Sequence, residues 1–146
     1  MTRSLFKPSA GIVVLRHMDG CWNVLCLKTH DNKYDLTKGI VDEGEDAFSA
    51  AIRETREEAG ITEVSFPFGK EPCVYDACVM FVGVTNQDPE ILPNPYTGIR
   101  EHAGYSWLPI VDAVNSSKIK NFLQPSVMHA FELVLEHDRE QKGLAQ

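Results

Sequence analysis

Residues 39–61, GIVDEGEDAFSAAIRETREEAGI, restrict what this chain can fold into more than any other stretch. Between Gly44 and Gly60 the apolar or near-apolar positions Phe48, Ala51, Ile52, Thr55 and Ala59 recur at helical spacing, so one stripe must face a core. At about 100° per residue, Glu54, Glu57 and Glu58 fall in one sector flanking that stripe. They point together along the helix edge, between full burial and full solvation. Glu45 and Asp46 are expected in the first turn, where the positive end of the helix dipole favours carboxylates, and Gly60 is placed to end the helix in a left-handed cap. The segment reads as a Gly-led loop, a helix and a Gly stop.

Like charges a few ångströms apart repel and raise one another's pKa. Arg53 can partner Glu57 at i,i+4, but one guanidinium does not neutralise the whole group. A divalent cation such as Mg²⁺ or Mn²⁺ does, because it takes oxygen ligands and keeps positions for water and for phosphate oxygens. The plain alternative is a solvated acidic face laced with i,i+4 pairs.

The wider frame decides between them. Gly39, Glu45, Arg53, Glu54, Glu57, Glu58 and Gly60 stand at the fixed letters of G-x5-E-x7-R-E-U-x-E-E-x-G-U, where U is a bulky apolar residue. In these residues the chain resembles the Nudix hydrolases, with one departure: the first U position holds Thr55. The resemblance implies that Glu54, Glu57 and Glu58 are the metal set, that Glu45 supports the site through Arg53, and that Gly39 offers its carbonyl to metal. It leaves Glu54 and Glu101 as rival bases. The residues before the box often read W-x-L-P-K-G in such enzymes and here are Tyr34, Asp35, Leu36, Thr37, Lys38 and Gly39. The surviving Lys-Gly pair makes Lys38 a candidate point charge for a substrate phosphate, against a solvent-facing lysine.

Further along, Ala10–Leu15 and Trp22–Leu27 flank an Asp-Gly turn signature and predict an antiparallel hairpin. Residues 28–38 read as irregular. Cys73–Thr85 is the most strand-like run and is expected to cross the sheet's centre. Asp76 within it must find a partner or line a cleft, so substrate contact and structural hydrogen bonding stand level. Residues 86–98 form a long loop of the functional kind, with Tyr96 near its tip as a nucleobase platform or an idle surface tyrosine. The run Glu101-His102-x-x-Tyr105-x-Trp107-Leu108 is similar to a segment of the asymmetric dinucleoside tetraphosphatases and dihydroneopterin triphosphatases. It implies Glu101 as an additional ligand or base, with a surface salt bridge as the alternative; His102 and Trp107 are assigned to packing. Tyr75 stands near the downstream tyrosine position of the tetraphosphatase branch and joins the substrate candidates. Val111–Val114 reads as one helical turn, Pro125–Asp138 as a helix with Val127, Phe131, Val134 and Leu135 on one face, and residues 142–146 as a frayed tail.

This order of hairpin, helix, central strands and late helix predicts an α/β protein with a mixed sheet between helices, the α/β/α Nudix fold that the resemblance implies. At 146 residues the chain is expected to be one domain, 1–146. Its 14 basic and 21 acidic side chains leave a net charge of −7, which argues against a strong electrostatic grip on nucleic acid. No stretch approaches a membrane span and the start lacks a signal-peptide pattern, so a cytoplasmic location is expected. Cys21, Cys26, Cys73 and Cys78 are expected as reduced, mostly buried thiols. The implied reaction is Mg²⁺- or Mn²⁺-dependent hydrolysis of a nucleoside diphosphate linked to another group, with a dinucleoside polyphosphate such as diadenosine tetraphosphate first in line. Nucleoside triphosphates including dihydroneopterin triphosphate, ADP-ribose and RNA 5′ ends are the other substrates in view, and a non-hydrolysing nucleotide sensor is the reading from another class. The partner is a nucleotide or dinucleotide, and the protein is expected as a monomer or homodimer.

Overall fold

A computed structural model describes residues 7–145. Strands β1 (Ser9–Met18) and β2 (Cys21–Lys28) form the expected antiparallel hairpin, with Met18 opposite Cys21. The turn between them holds Asp19 at φ 54° and Gly20 at φ 79°, the pair of left-handed positions that a two-residue hairpin loop needs.

The polar stretch after the hairpin is more regular than expected. It contains β3 (Tyr34–Asp35) and β4 (Thr37–Ile40). Each is short and pairs with one strand of the sheet: β3 with Leu27 and Lys28 at the end of β2, β4 with Ser9–Ile12 at the start of β1. Because β2 pairs β1 only through Val24, the sheet forks there, and residues 34–40 cross from one branch to the other. That fork positions the site.

Helix α1 (Ala47–Ala59) follows, then β5 (Cys73–Tyr75), β6 (Cys78–Val84), β7 (Gly104–Pro109), the single turn α2 (Ile110–Ala113) and the long α3 (Gln124–Ala145). Three expectations are corrected. Cys73–Thr85 is a hairpin, not one strand: Asp76 turns the chain at φ 53°, a conformation aspartate tolerates, and it is exposed rather than buried. The tail from residue 142 continues α3, since nothing before Ala145 breaks the helix. Leu135 lies 46% exposed, off the packed face that Val127, Ala130 and Val134 make.

β6 runs parallel to β1 across Ser9–Leu15, which sets β1 and β6 at the centre of the order β3-β2-β1-β6-β5, with β7 on β2. The period-2 alternation of β1 feeds two cores. Val13 and Leu15 face α3 with Val24, Met80 and Val82, while Ile12 and Val14 face α1 with Leu25, Leu27 and Phe81. The mixed sheet is therefore covered by α1 on one side and α3 on the other, the α/β/α arrangement expected. All four cysteines are free; Cys26 and Cys78 are buried, Cys73 is half-buried, and Cys21 is exposed, contrary to its expected burial. Among the described residues no helix is long and apolar enough to cross a membrane.

Candidate active site

Local chemistry sets the limits of α1. The Asp46 carboxylate accepts the Ser49 amide at 2.7 Å and caps the helix, so Glu45 and Asp46 stand before the first turn instead of in it. Gly60 closes the other end at φ 67°, its amide donating to Arg56 O at 2.9 Å. Thr55, where an aliphatic residue was expected, is fully buried: its hydroxyl lies 2.8 Å from Ala51 O and 3.0 Å from Thr37 Oγ1. That polar contact ties α1 to β4.

Arg53 is the hub of the helix edge. Nε and Nη2 reach the two oxygens of Glu45 at 2.9 and 3.0 Å, Nη1 reaches Glu54 at 2.9 Å and Glu57 at 3.2 Å, and Nη2 also donates to Ile40 O at 2.9 Å. Glu45 in turn accepts the Asp42 amide at 3.1 Å. The loop is thereby strapped to the helix through a bidentate guanidinium pair.

Glu54 lies against Gly39 so closely that a Cβ there would sit 2.1 Å from the Glu54 carboxyl carbon. Only glycine leaves that carboxylate its place. Burial raises the Glu54 pKa above the usual carboxylate range, against the pull of Arg53. Glu58 is pushed up to about 9, chiefly by burial, with Asp35 and Glu54 adding repulsion and the Lys38 amide, at 2.7 Å from Oε1, opposing them.

A second group of side chains comes from the fork and adjoins Glu58. Asp35 is buried, and its carboxylate meets Lys38 Nζ at 3.3 Å, Lys120 Nζ at 3.3 Å and His102 Nε2 at 3.5 Å. Burial alone would raise its pKa; the His102 hydrogen bond and the two lysine charges outweigh that and hold it well below the usual range. Lys120 arrives because Tyr34 exchanges backbone hydrogen bonds with Lys118 and Lys120, laying that segment beside β3. Residues 86–98 reach the site along the end of α1, through Glu90 N to Ala59 O at 2.8 Å and Leu92 N to Glu58 O at 3.3 Å. Asn94 then donates to Glu101 Oε1 at 2.9 Å.

The two groups line a cleft of about 640 Å³. It brings together Lys38, Gly39, Arg53, Glu54, Glu57, Glu58, Tyr96 and Glu101 of the sequence-derived candidates, with Glu45 behind Arg53. Tyr96 is 81% exposed at the mouth. Tyr75 and Asp76 line no part of it: Tyr75 sits three strands from Ile40, through Cys78 and Ser9. Asp35 and Lys120 were missed by sequence reasoning, and His102 lines the cleft instead of serving only as packing. Trp107 does pack, with the Arg16 guanidinium 4.6 Å above its ring.

The residues fit a hard divalent cation. Carboxylates outnumber the guanidinium among them, two are held partly desolvated, and the donors are oxygens with one imidazole nitrogen. A carboxylate-lined helix edge and two lysines lining one cleft, beside a sheet between two helical layers, fit a metal-assisted hydrolase of phosphate compounds. The comparisons name the family: residues 5–131 match the NUDIX domain, and the chain belongs to that family as a Nudix hydrolase acting on pyrophosphate bonds. It is 29% identical over 118 residues to the asymmetrical bis(5′-nucleosyl)-tetraphosphatase of Caenorhabditis elegans, covering 73% of this chain and 81% of that protein. It is 36% identical over 67 residues to an RNA pyrophosphohydrolase of Rhizobium meliloti, covering 41% and 40%. A solved binary complex of the C. elegans Ap4A hydrolase shares the fold at a TM-score of 0.66 and 23% identity, over 90% of this chain and 99% of that one.

Proposed function

We propose that the enzyme hydrolyses dinucleoside polyphosphates, diadenosine tetraphosphate being the representative, in a reaction that depends on Mg²⁺ or Mn²⁺. The observation that carries this is a single cleft lined both by Glu54, Glu57 and Glu58 and by Lys38 and Lys120, the two lysines lying against Asp35. A polyanionic chain satisfies both, taking cations from the carboxylates and direct charge from the lysines. Similarity to the C. elegans tetraphosphatase over most of both chains supports the dinucleotide class.

In this reading Glu54, Glu57 and Glu58, with the Gly39 carbonyl, hold the metal. Bound metal supplies charge neutralisation at the phosphates and lowers the pKa of a water. Arg53 positions Glu54 and Glu57, and Glu45 fixes Arg53. Glu54 accepts the proton of the attacking water in preference to Glu101, because it is half-buried and raised, whereas Glu101 is exposed and already accepts from Asn94. Tyr96 offers its ring to one base.

The test is product release from a panel of diadenosine tetraphosphate, ATP, dihydroneopterin triphosphate, ADP-ribose and 5′-triphosphorylated RNA, with and without Mg²⁺. Diadenosine tetraphosphate is expected to exceed the others in kcat/KM, and Glu57→Gln to lose at least about 100-fold, the upper end of what an outer-shell change costs a metal site. Preference for another compound would replace the dinucleotide reading. A non-hydrolysing sensor would bind the panel and leave every member intact.

A further inference from the structure

We infer that His102 is a metal ligand: its Nδ1, with Glu58 and Glu101, makes a mixed nitrogen and oxygen site for a first-row transition cation, Mn²⁺, Co²⁺ or Zn²⁺, in preference to Mg²⁺. This rests on the reading of the cleft as a divalent-cation site.

Three groups converge. Glu58, Glu101 and His102 each place one donor atom within 4.8 Å of the others. The imidazole is 6% exposed, and its two nitrogens have different surroundings. Nε2 faces Asp35 Oδ2 at 3.5 Å. Asp35 sits among Lys38 and Lys120, so it is an ionised acceptor and the proton of that contact belongs to Nε2. A carboxylate that fixes one ring nitrogen leaves the other as a lone pair with a set direction, the arrangement by which histidines are oriented toward metals.

Nδ1 then points at Glu58, 3.9 Å from Oε2, which is too long for a hydrogen bond. Among the described residues no hydrogen bond reaches Nδ1. Two donors each about 2.1 Å from one cation stand up to about 4.2 Å apart, so this gap lies within the span of one ion. Asn94 holds Glu101 by Oε1 and leaves Oε2 for a third bond. Imidazole is a softer donor than carboxylate or water and draws transition cations more than Mg²⁺. The competing role is structural: His102 as a charged bridge between Asp35 and Glu58, cementing the cleft with no ion.

Pulsed EPR on the full chain loaded with Mn²⁺ separates the two. The wild type is expected to show ¹⁴N modulation from a coordinated imidazole. His102→Gln should abolish that modulation and weaken Mn²⁺ binding about tenfold or more, while Mg²⁺ affinity shifts less than about threefold. Mn²⁺ bound without ¹⁴N modulation, or modulation that persists in His102→Gln, overturns the ligand assignment and leaves the hydrolase reading standing. Binding of Mg²⁺ but not Mn²⁺ overturns the ligand assignment alone, and failure of the wild type to bind either ion sinks both. If the variant does not fold, the wild-type spectrum decides the matter by itself.

Discussion

Glu58 is held against its own preference. Its carboxyl, pushed up to about 9 by burial, keeps a proton near neutrality that the unfolded chain gives up above about pH 4.3. A carboxyl raised in the folded state binds more protons than in the unfolded one, so stability falls with pH between those two values. Glu58→Gln, which keeps an oxygen for the Lys38 amide, should raise the metal-free Tm at pH 8 by about 3 °C or more and flatten its pH dependence. The same variant should lose most of the Tm rise that Mn²⁺ gives the wild type. Thermal melts with and without Mn²⁺ at pH 6 and pH 8 check both halves, and a lower Tm for the metal-free variant at pH 8 would contradict the assignment. Which glutamates share an edge was legible from spacing alone, because α-helical geometry is local. Asp35 and Lys120 were not: they meet from positions 85 residues apart, and neither carries a local pattern that announces the other.

Helix α1 was readable almost to the residue for the same reason: stripe, cap and stop all lie within it. The exception is its start, where Asp46 serves as the cap and leaves both Glu45 and Asp46 outside the helix, which begins at Ala47. Asp46→Ala should therefore cost about 1 kcal/mol, a few degrees of Tm, and leave kcat within about twofold, because the Arg53 and Glu45 strap keeps the loop in place. Denaturant titration beside steady-state kinetics tests this; a large kcat loss would mean that the cap orders the carboxylates lining the cleft. Strands β3 and β4 left no such trace. With two and four residues they are too short for alternation to register, and their existence depends on partners elsewhere in the sheet. The turn at Asp76 was hidden differently, since apolar runs on both sides of it masked a hairpin as one strand.

Across the molecule, Asp35 links β3, the start of β4, the β7 approach and the segment before α3. Its pKa is depressed on folding, so the stability it supplies is complete above about pH 4 and is lost as pH falls through the lower folded value. Asp35→Asn should be less stable by about 2 kcal/mol at pH 7, less than the ~3–5 kcal/mol for breaking a fully buried pair because Lys120 reaches solvent. The gap between variant and wild type should narrow as the pH drops below about 4. Urea midpoints from pH 3 to pH 7 measure it, and a gap that widens toward acid would reverse the sign argued here. The α/β/α layering was legible from the order of hairpin, helix, central strands and late helix. The fork was not, because it depends on β2 leaving β1 after Val24 so that another strand takes its place.

That parting makes the cleft a seam between two ribbons that share few rungs of their own. Whatever fills it acts as a rivet. Hydrogen exchange should slow together at residues 37–40 and 100–104 when cation and nucleotide are both bound, and hardly change at the β5 and β6 hairpin. The substrate would then complete the architecture for as long as it stays.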